Sequence, residues 1–109
     1  MIYLASPYSH PDADVRRDRF EAACRVAAGM MRAGDLVFSP IAHSHPIAVH
    51  GGLPLDWEFW KPWDRWALAH CDRFAILTLD GWQESRGVTA ERQAWGLYHP
   101  EGYVEHVAP

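Results

Sequence analysis

Short unbroken apolar runs alternate along this chain with longer segments whose apolar residues return every three or four positions. Met1-Ile2-Tyr3-Leu4-Ala5-Ser6 is a continuous run closed by Pro7, the pattern of a strand buried on both faces. From Val15 to Ala33, residues Phe20, Ala23, Cys24, Ala27, Met30 and Met31 recur at helical spacing opposite a face of arginines. Asp12 or Asp14 can cap the start of that helix and Gly34 its end. Asp35-Leu36-Val37-Phe38-Ser39-Pro40 reads as a second strand. Strand, helix and strand in succession form a βαβ unit with a right-handed crossover.

The stretch from Ile41 to about Trp60 breaks this rhythm. It carries His43, His45, His50, Gly51, Gly52 and two prolines, and reads as a long irregular loop of the kind that usually serves function. Pro62 suits the first turn of a helix, which predicts a helix from about Lys61 to His70 with Trp63 and Trp66 on one face. Cys71-Asp72 ends it, and Phe74-Ala75-Ile76-Leu77-Thr78-Leu79 is a third strand. A polar loop with Gly81 and Gly87 leads into a helix from Val88 to Tyr98, stopped before His99-Pro100. Tyr103-Val104-Glu105-His106-Val107 alternates like an edge strand. The expected fold is a small doubly wound α/β domain, flavodoxin-like or Rossmann-like. It is a three-layer sandwich on a mainly parallel sheet of four or five strands, spanning residues 1–109 as one unit.

Composition narrows the function classes. With 49% hydrophobic and 22% charged residues the chain has an ordinary globular profile. A net charge of −4 leaves no basic patch of the size that non-specific nucleic-acid binding needs. Cys24 and Cys71 stand in no metal or redox spacing and read as thiols in a reducing compartment. No apolar stretch approaches a membrane span, and no signal peptide is apparent at the N-terminus, so the expected location is the cytoplasm with no membrane partner.

The loop after the third strand concentrates the candidate chemistry. In open α/β sheets, ligands bind outside the carboxyl ends of strands, where helix N-termini favour anions. Ser85 and Gly87 would sit there in the first turn of the last helix, with Glu91. A glutamate in a first turn complements the helix dipole by about 0.3–1 kcal/mol, and the same field would keep it ionised as a nucleophile requires. Asp64, near the start of the tryptophan-rich helix, supplies a second carboxylate at the same side of the sheet. Two facing carboxyls are what glycosidic bond chemistry uses. The His43-x-His45 pair with His50 is a loose metal spacing that no cysteine or paired carboxylate completes, and a loop lining a polar pocket accounts for it better. No P-loop or dinucleotide fingerprint is present.

These segments together carry a family resemblance. Ile2-Tyr3-Leu4-Ala5-Ser6-Pro7-Tyr8, Trp63-Asp64-Arg65 followed by Cys71-Asp72 and a strand, and Ser85-x-Gly87-x-x-x-Glu91 resemble, in order, the nucleoside 2-deoxyribosyltransferase-like proteins. The resemblance implies that Glu91 attacks the anomeric carbon of the sugar, that Asp64 contacts sugar and base and assists protonation of the leaving base, and that Tyr3 holds the Glu91 carboxylate. The transferases of that family carry an aspartate six residues before the nucleophile, where the branch hydrolysing nucleoside 5′-monophosphates carries a serine. This chain has Ser85 there. A serine hydroxyl at a helix N-terminus donates to phosphate, whereas an aspartate repels it.

Ser6, Pro7, Tyr8, Ser9, Gly87, Arg86 and His43 complete the expected substrate pocket, with Ser9, His10 and Arg86 standing in for the family's first-loop phosphate contacts and His43 coming from the histidine-bearing loop, which has no counterpart in the family. The hydrolase branch has a first loop with glycine and arginine, while Pro7, Tyr8, Ser9 and His10 fill it here. The implied activity is retaining cleavage of the N-glycosidic bond of a (deoxy)nucleoside 5′-monophosphate, by hydrolysis or deoxyribosyl transfer. It needs no metal or organic cofactor. The implied assembly is a homo-oligomer, a dimer or larger, with the tryptophan stripe as its contact. A non-catalytic nucleotide-binding protein and a metal-dependent hydrolase built on the histidines are the alternative readings.

Overall fold

The computed structural model describes all residues from 1 to 109. It contains β1 (Ile2–Ala5), α1 (Ala13–Arg32), β2 (Val37–Phe38), α2 (Pro40–Gly51), α3 (Trp57–His70), β3 (Arg73–Leu77), a one-turn 3-10 segment (Trp82–Glu84), α4 (Arg86–Tyr98) and β4 (Val104–Val107). The four strands form one sheet in the order β2-β1-β3-β4, and every pair is parallel. The expected α/β sandwich is what the chain forms. Tyr3 on β1 is paired with Phe38 on one side and Phe74 on the other. The chain moves outward from β1 to β2 in one direction and to β3 and β4 in the other. The order therefore reverses between β1 and β3, and a crevice opens beyond their carboxyl ends.

Side chains alternate across the sheet and build a core on each face. Ile2, Leu4, Ala75 and Leu77 point toward α1 and pack with Ala23, Ala27 and Val37. Tyr3, Ala5, Phe74 and Ile76 point the other way and pack with Ala67, Leu68, Cys71, Val88, Ala94 and Trp95 from the α3–α4 layer. Both faces are covered, which explains why the strands read as unbroken apolar runs.

The largest departure from the sequence reading is α2. The stretch beginning at Ile41, expected as an irregular loop, is helical to Gly51, and only residues 52–56 separate it from α3. Ser39 caps α2, its Oγ accepting from the Ala42 amide at 3.1 Å; Pro40 occupies the first turn and Gly52 ends the helix at φ +66°. Such a cap contributes about 1 kcal/mol. Pro46 inside the helix lacks the N–H that would meet the Ala42 carbonyl, and that breaker signal hides the helix in the sequence. Likewise α3 begins at Trp57 rather than Lys61. Asp56 caps it by accepting from the Phe59 amide at 3.1 Å, which leaves Pro62 in the second turn and Asp64 in the middle of the helix rather than near its start. At the other ends, β2 is two residues long and β3 stops at Leu77.

Candidate functional site

Because all strands run the same way, their carboxyl ends and the N-termini of α2 and α4 meet at one edge of the sheet. A cleft of about 850 Å³ opens there, within the size range of small-molecule sites. Its floor holds three side chains from three elements: Ser6 just after β1, Asp64 on α3 and Glu91 on α4. All three are more than nine-tenths buried. Tyr3 lies beneath, fully enclosed, and its hydroxyl donates to Glu91 Oε2. The Tyr3 ring is held by Phe74, stacked at 5.8 Å, and by Phe38 at the same centroid distance.

Glu91 and Asp64 form an unusual pair. Neither takes part in a salt bridge, so two carboxyls share a dry site with no cation to offset them, an arrangement that disfavours ionisation of both. Burial pushes Asp64 up to about 7. Burial first, and then the charge of Asp64, push Glu91 well above the ordinary carboxylate range, opposed by the hydrogen bond from Tyr3. Burial and the two acids also hold the Tyr3 phenol far above its usual range, so it remains a donor.

Two sequence expectations about Glu91 are corrected. It lies in the second turn of α4 rather than the first, and the helix field does not dominate its ionisation, because burial outweighs it. The floor also contains two orphans: Ser6 Oγ and Asp64 Oδ1 are sealed from solvent with no protein partner. Unpaired buried polar atoms cost about 1–3 kcal/mol each, and these two belong to side chains of the same cleft, while the third such atom, Trp95 Nε1, lies apart from it.

One end of the cleft gathers two arginines and a helix N-terminus, with the Glu84 carboxylate beside them. Ser85 caps α4, its Oγ accepting from the Val88 amide at 3.2 Å, which leaves its own proton free to donate outward. Arg86 and Gly87 line the cleft in the first turn. Arg19 reaches the same end from α1. Its Nη1 donates to Ser9 O at 3.0 Å and its Nη2 to Asp80 O at 3.3 Å, so one guanidinium joins the loop after β1 to the loop after β3. Gly81 at φ +86° is needed under it, since a Cβ there would stand 3.1 Å from Arg19 Nη2. The other end is walled by α2 and the start of α3: Ile41, Ser44, His45, Ala48, Leu55 and Trp57.

Of the residues expected in the pocket, Ser6, Tyr8, Ser9, Asp64, Ser85, Arg86, Gly87 and Glu91 line the cleft, with Tyr3 in direct contact with Glu91. Two do not. Pro7 is wholly enclosed in the protein behind the loop, because its ring packs inward while Tyr8 turns to the cleft. His43 is exposed on α2 beside Phe38 and Trp60, and it is the next turn-mate, His45, that faces the cleft. The helix explains the difference: positions 41, 44, 45 and 48 share a face that excludes 43.

His45 does line a pocket, as expected of the histidine stretch, though from a helix rather than a loop; Arg19 and Ser44 did not stand out in the sequence, and the i, i+3, i+4, i+7 spacing is the signal that marks Ser44. His43, His45 and His50 do not gather, and no group of three or more His, Cys, Asp or Glu side chains forms a metal-ligating cluster. No helix is long and apolar enough to cross a membrane.

The model of one protein family, described as a domain of unknown function (DUF1937), matches residues 1–99. No curated protein matches the sequence. The matched span includes every residue of the cleft floor and both of its ends.

Proposed function

Because the chain belongs to the DUF1937 family, whose description assigns no activity, we infer its function from the cleft and propose that it cleaves the N-glycosidic bond of a (deoxy)nucleoside 5′-monophosphate. The observation that carries this reading is the buried Glu91–Asp64 pair with Tyr3 donating to Glu91. Burial raises the proton affinity of both acids, and the charge of Asp64 raises that of Glu91 further, which disfavours ionising both at once. The Tyr3 hydroxyl stabilises charge on Glu91 against the burial that raises it, and the proposed reaction uses Glu91 as the carboxylate and Asp64, raised to about 7, as the acid. One group is then a nucleophile and the other an acid, the division of labour that a retaining glycosidase needs.

In the proposed reaction a Glu91 oxygen attacks C1′ of the sugar. The C1′–N bond breaks, its electron pair stays on the base nitrogen, and Asp64 delivers its proton to the departing base. Water, or a second base in a transfer reaction, then attacks C1′ of the glycosyl-enzyme. Asp64 takes the incoming proton and the Glu91 carboxylate is released. At the arginine-bearing end, the Ser85 hydroxyl, the first amides of α4 and the Arg19 and Arg86 guanidiniums support a phosphate rather than a free 5′-hydroxyl. This placement agrees with the resemblance of Ser85-x-Gly87-x-x-x-Glu91 to the monophosphate-hydrolysing branch of the nucleoside 2-deoxyribosyltransferase-like proteins.

A second copy of the chain belongs to the same reading. Trp63 and Trp66 remain 48% and 66% exposed on α3, an apolar face suited to self-association. Incubating the pure protein with nucleosides and their 5′-monophosphates, and assaying free base, tests the activity. Release is expected from monophosphates, and is expected to disappear in Glu91→Ala. Base release that survives this substitution refutes the nucleophile assignment.

A further inference from the structure

We propose that His45, oriented by Tyr8, is the residue that selects the base in the cleft, donating a hydrogen bond that favours bases carrying an oxo group over their amino counterparts. This rests on the nucleotide reading above and deepens it at the end of the cleft that the resemblance leaves unassigned.

The geometry fixes which way the donor points. His45 Nδ1 is hydrogen-bonded to the Tyr8 hydroxyl, and its ring is clamped by Phe20, stacked at 4.3 Å, with Tyr8 edge-on at 5.4 Å. Rotation of the imidazole is therefore blocked on two sides. The proton between Tyr8 and His45 has a preferred owner, because the Tyr8 hydroxyl makes no other hydrogen bond within the protein and His45 Nδ1 is the acceptor available to it. The Tyr8 O–H turns to His45 Nδ1, and the imidazole proton resides on Nε2. That nitrogen makes no hydrogen bond within the protein and is not sealed off, and His45 lines the cleft.

Burial, with Arg16 of α1 and His50 of α2, holds His45 below its usual range, so the ring is a neutral donor near pH 7. Among the polar Ser44, Asp56 and Glu58, the wall around it carries four apolar side chains, Ile41, Ala48, Leu55 and Trp57. A planar base can lie against these, with one polar atom directed at His45. A carbonyl oxygen accepts from Nε2–H. An amino group in its place sets donor against donor, at a cost in affinity of roughly 5- to 100-fold.

Two measurements decide this. Long-range 1H–15N NMR of the ligand-free wild-type protein is expected to show His45 as the Nε2–H tautomer, and Tyr8→Phe to give a mixture; an Nδ1–H tautomer in the wild type overturns the proposal. Calorimetry in a Glu91→Gln background, which cannot form the glycosyl-enzyme, then compares uridine with cytidine 5′-monophosphate and inosine with adenosine 5′-monophosphate. The oxo member of each pair is expected to bind at least about 5-fold more tightly. His45→Gln, whose amide can turn either face to the ligand, is expected to bring the ratio within about 2-fold. A ratio that His45→Gln leaves unchanged overturns the role of His45. Binding of none of the four nucleotides overturns instead the nucleotide reading beneath it, while the tautomer measurement still reports on Tyr8 and His45.

Discussion

Tyr3 and Glu91 are 88 positions apart in sequence, and the hydroxyl of one donates to Oε2 of the other inside the protein. The bond ties the central strand to the last helix at the floor of the cleft, and is the one interaction that lowers the proton affinity of a glutamate which burial and Asp64 both raise. Tyr3→Phe keeps the ring packed between Phe38 and Phe74 and removes only this donor. The Glu91 carboxyl should then hold its proton to higher pH. The expected result is a loss of roughly 10- to 100-fold in kcat/KM near neutrality, with the acidic limb of the pH–rate profile moved upward. An unmoved limb would separate Tyr3 from the ionisation of Glu91.

Asp64 sets a pH dependence of stability with an unfamiliar sign. Its folded value of about 7 lies above the ordinary 3.8, so between these limits the native state binds more protons than the unfolded chain. The penalty is absent below about pH 4, grows as pH rises, and is complete above about pH 7, where the gap corresponds to about 4 kcal/mol. Glu91 acts in the same direction. Urea unfolding should therefore give a lower free energy at pH 8 than at pH 5. Asp64→Asn should flatten the difference, both by removing its own titration and by relieving Glu91. A slope identical in the variant would mean that other groups set it.

Gly81 and Gly87 should respond oppositely to alanine. At Gly81 the positive φ and the approach to Arg19 Nη2 make Gly81→Ala destabilising by about 1–2 kcal/mol. Gly87 lies in the first turn of α4, where a Cβ meets nothing closer than Ser85 Oγ at 3.9 Å. Gly87→Ala should leave thermal stability unchanged or raise it by up to about 1 kcal/mol. It should still weaken monophosphate binding by roughly 5-fold or more, because the methyl group obstructs the amides at the helix end. Calorimetric unfolding and binding, run on both variants, read the two effects separately.

Ser85→Asp isolates the anion preference from helix stability. Aspartate caps helices as well as serine does, so α4 should form normally and the unfolding midpoint should change little. Turnover of a 5′-monophosphate should fall at least about 10-fold more than turnover of the corresponding nucleoside, since the new charge faces the phosphate. Equal losses on the two substrates would show that Ser85 does not meet the phosphate.

The central strands β1 and β3 are legible because they are buried on both faces and read as apolar runs, and β4 because it alternates as an edge strand does. Asp64 and Glu91 are legible as carboxylates on the two helices that flank the third strand, though each lies deeper in its helix than the sequence suggests. What sequence could not supply is the balance of forces at Glu91. Whether a helix terminus or burial governs a carboxyl depends on the enclosure provided by Tyr3, Asp64 and Ser6, three residues distant in sequence. The helix α2 was hidden for a local reason. Histidines, Pro46 and two glycines all argue for a loop, and tertiary packing against α1 and β1 overrides them. With that helix unseen, His43 and His45 could not be assigned to opposite sides, and the α2 wall of the cleft had no visible outline.

Arg19 holds the carbonyls of Ser9 and Asp80 with two nitrogens of one rigid, planar group. The two loops at the rim are thus one mechanical unit. Displacing either loop therefore costs a hydrogen bond to the guanidinium that also holds the other, which couples their fluctuations.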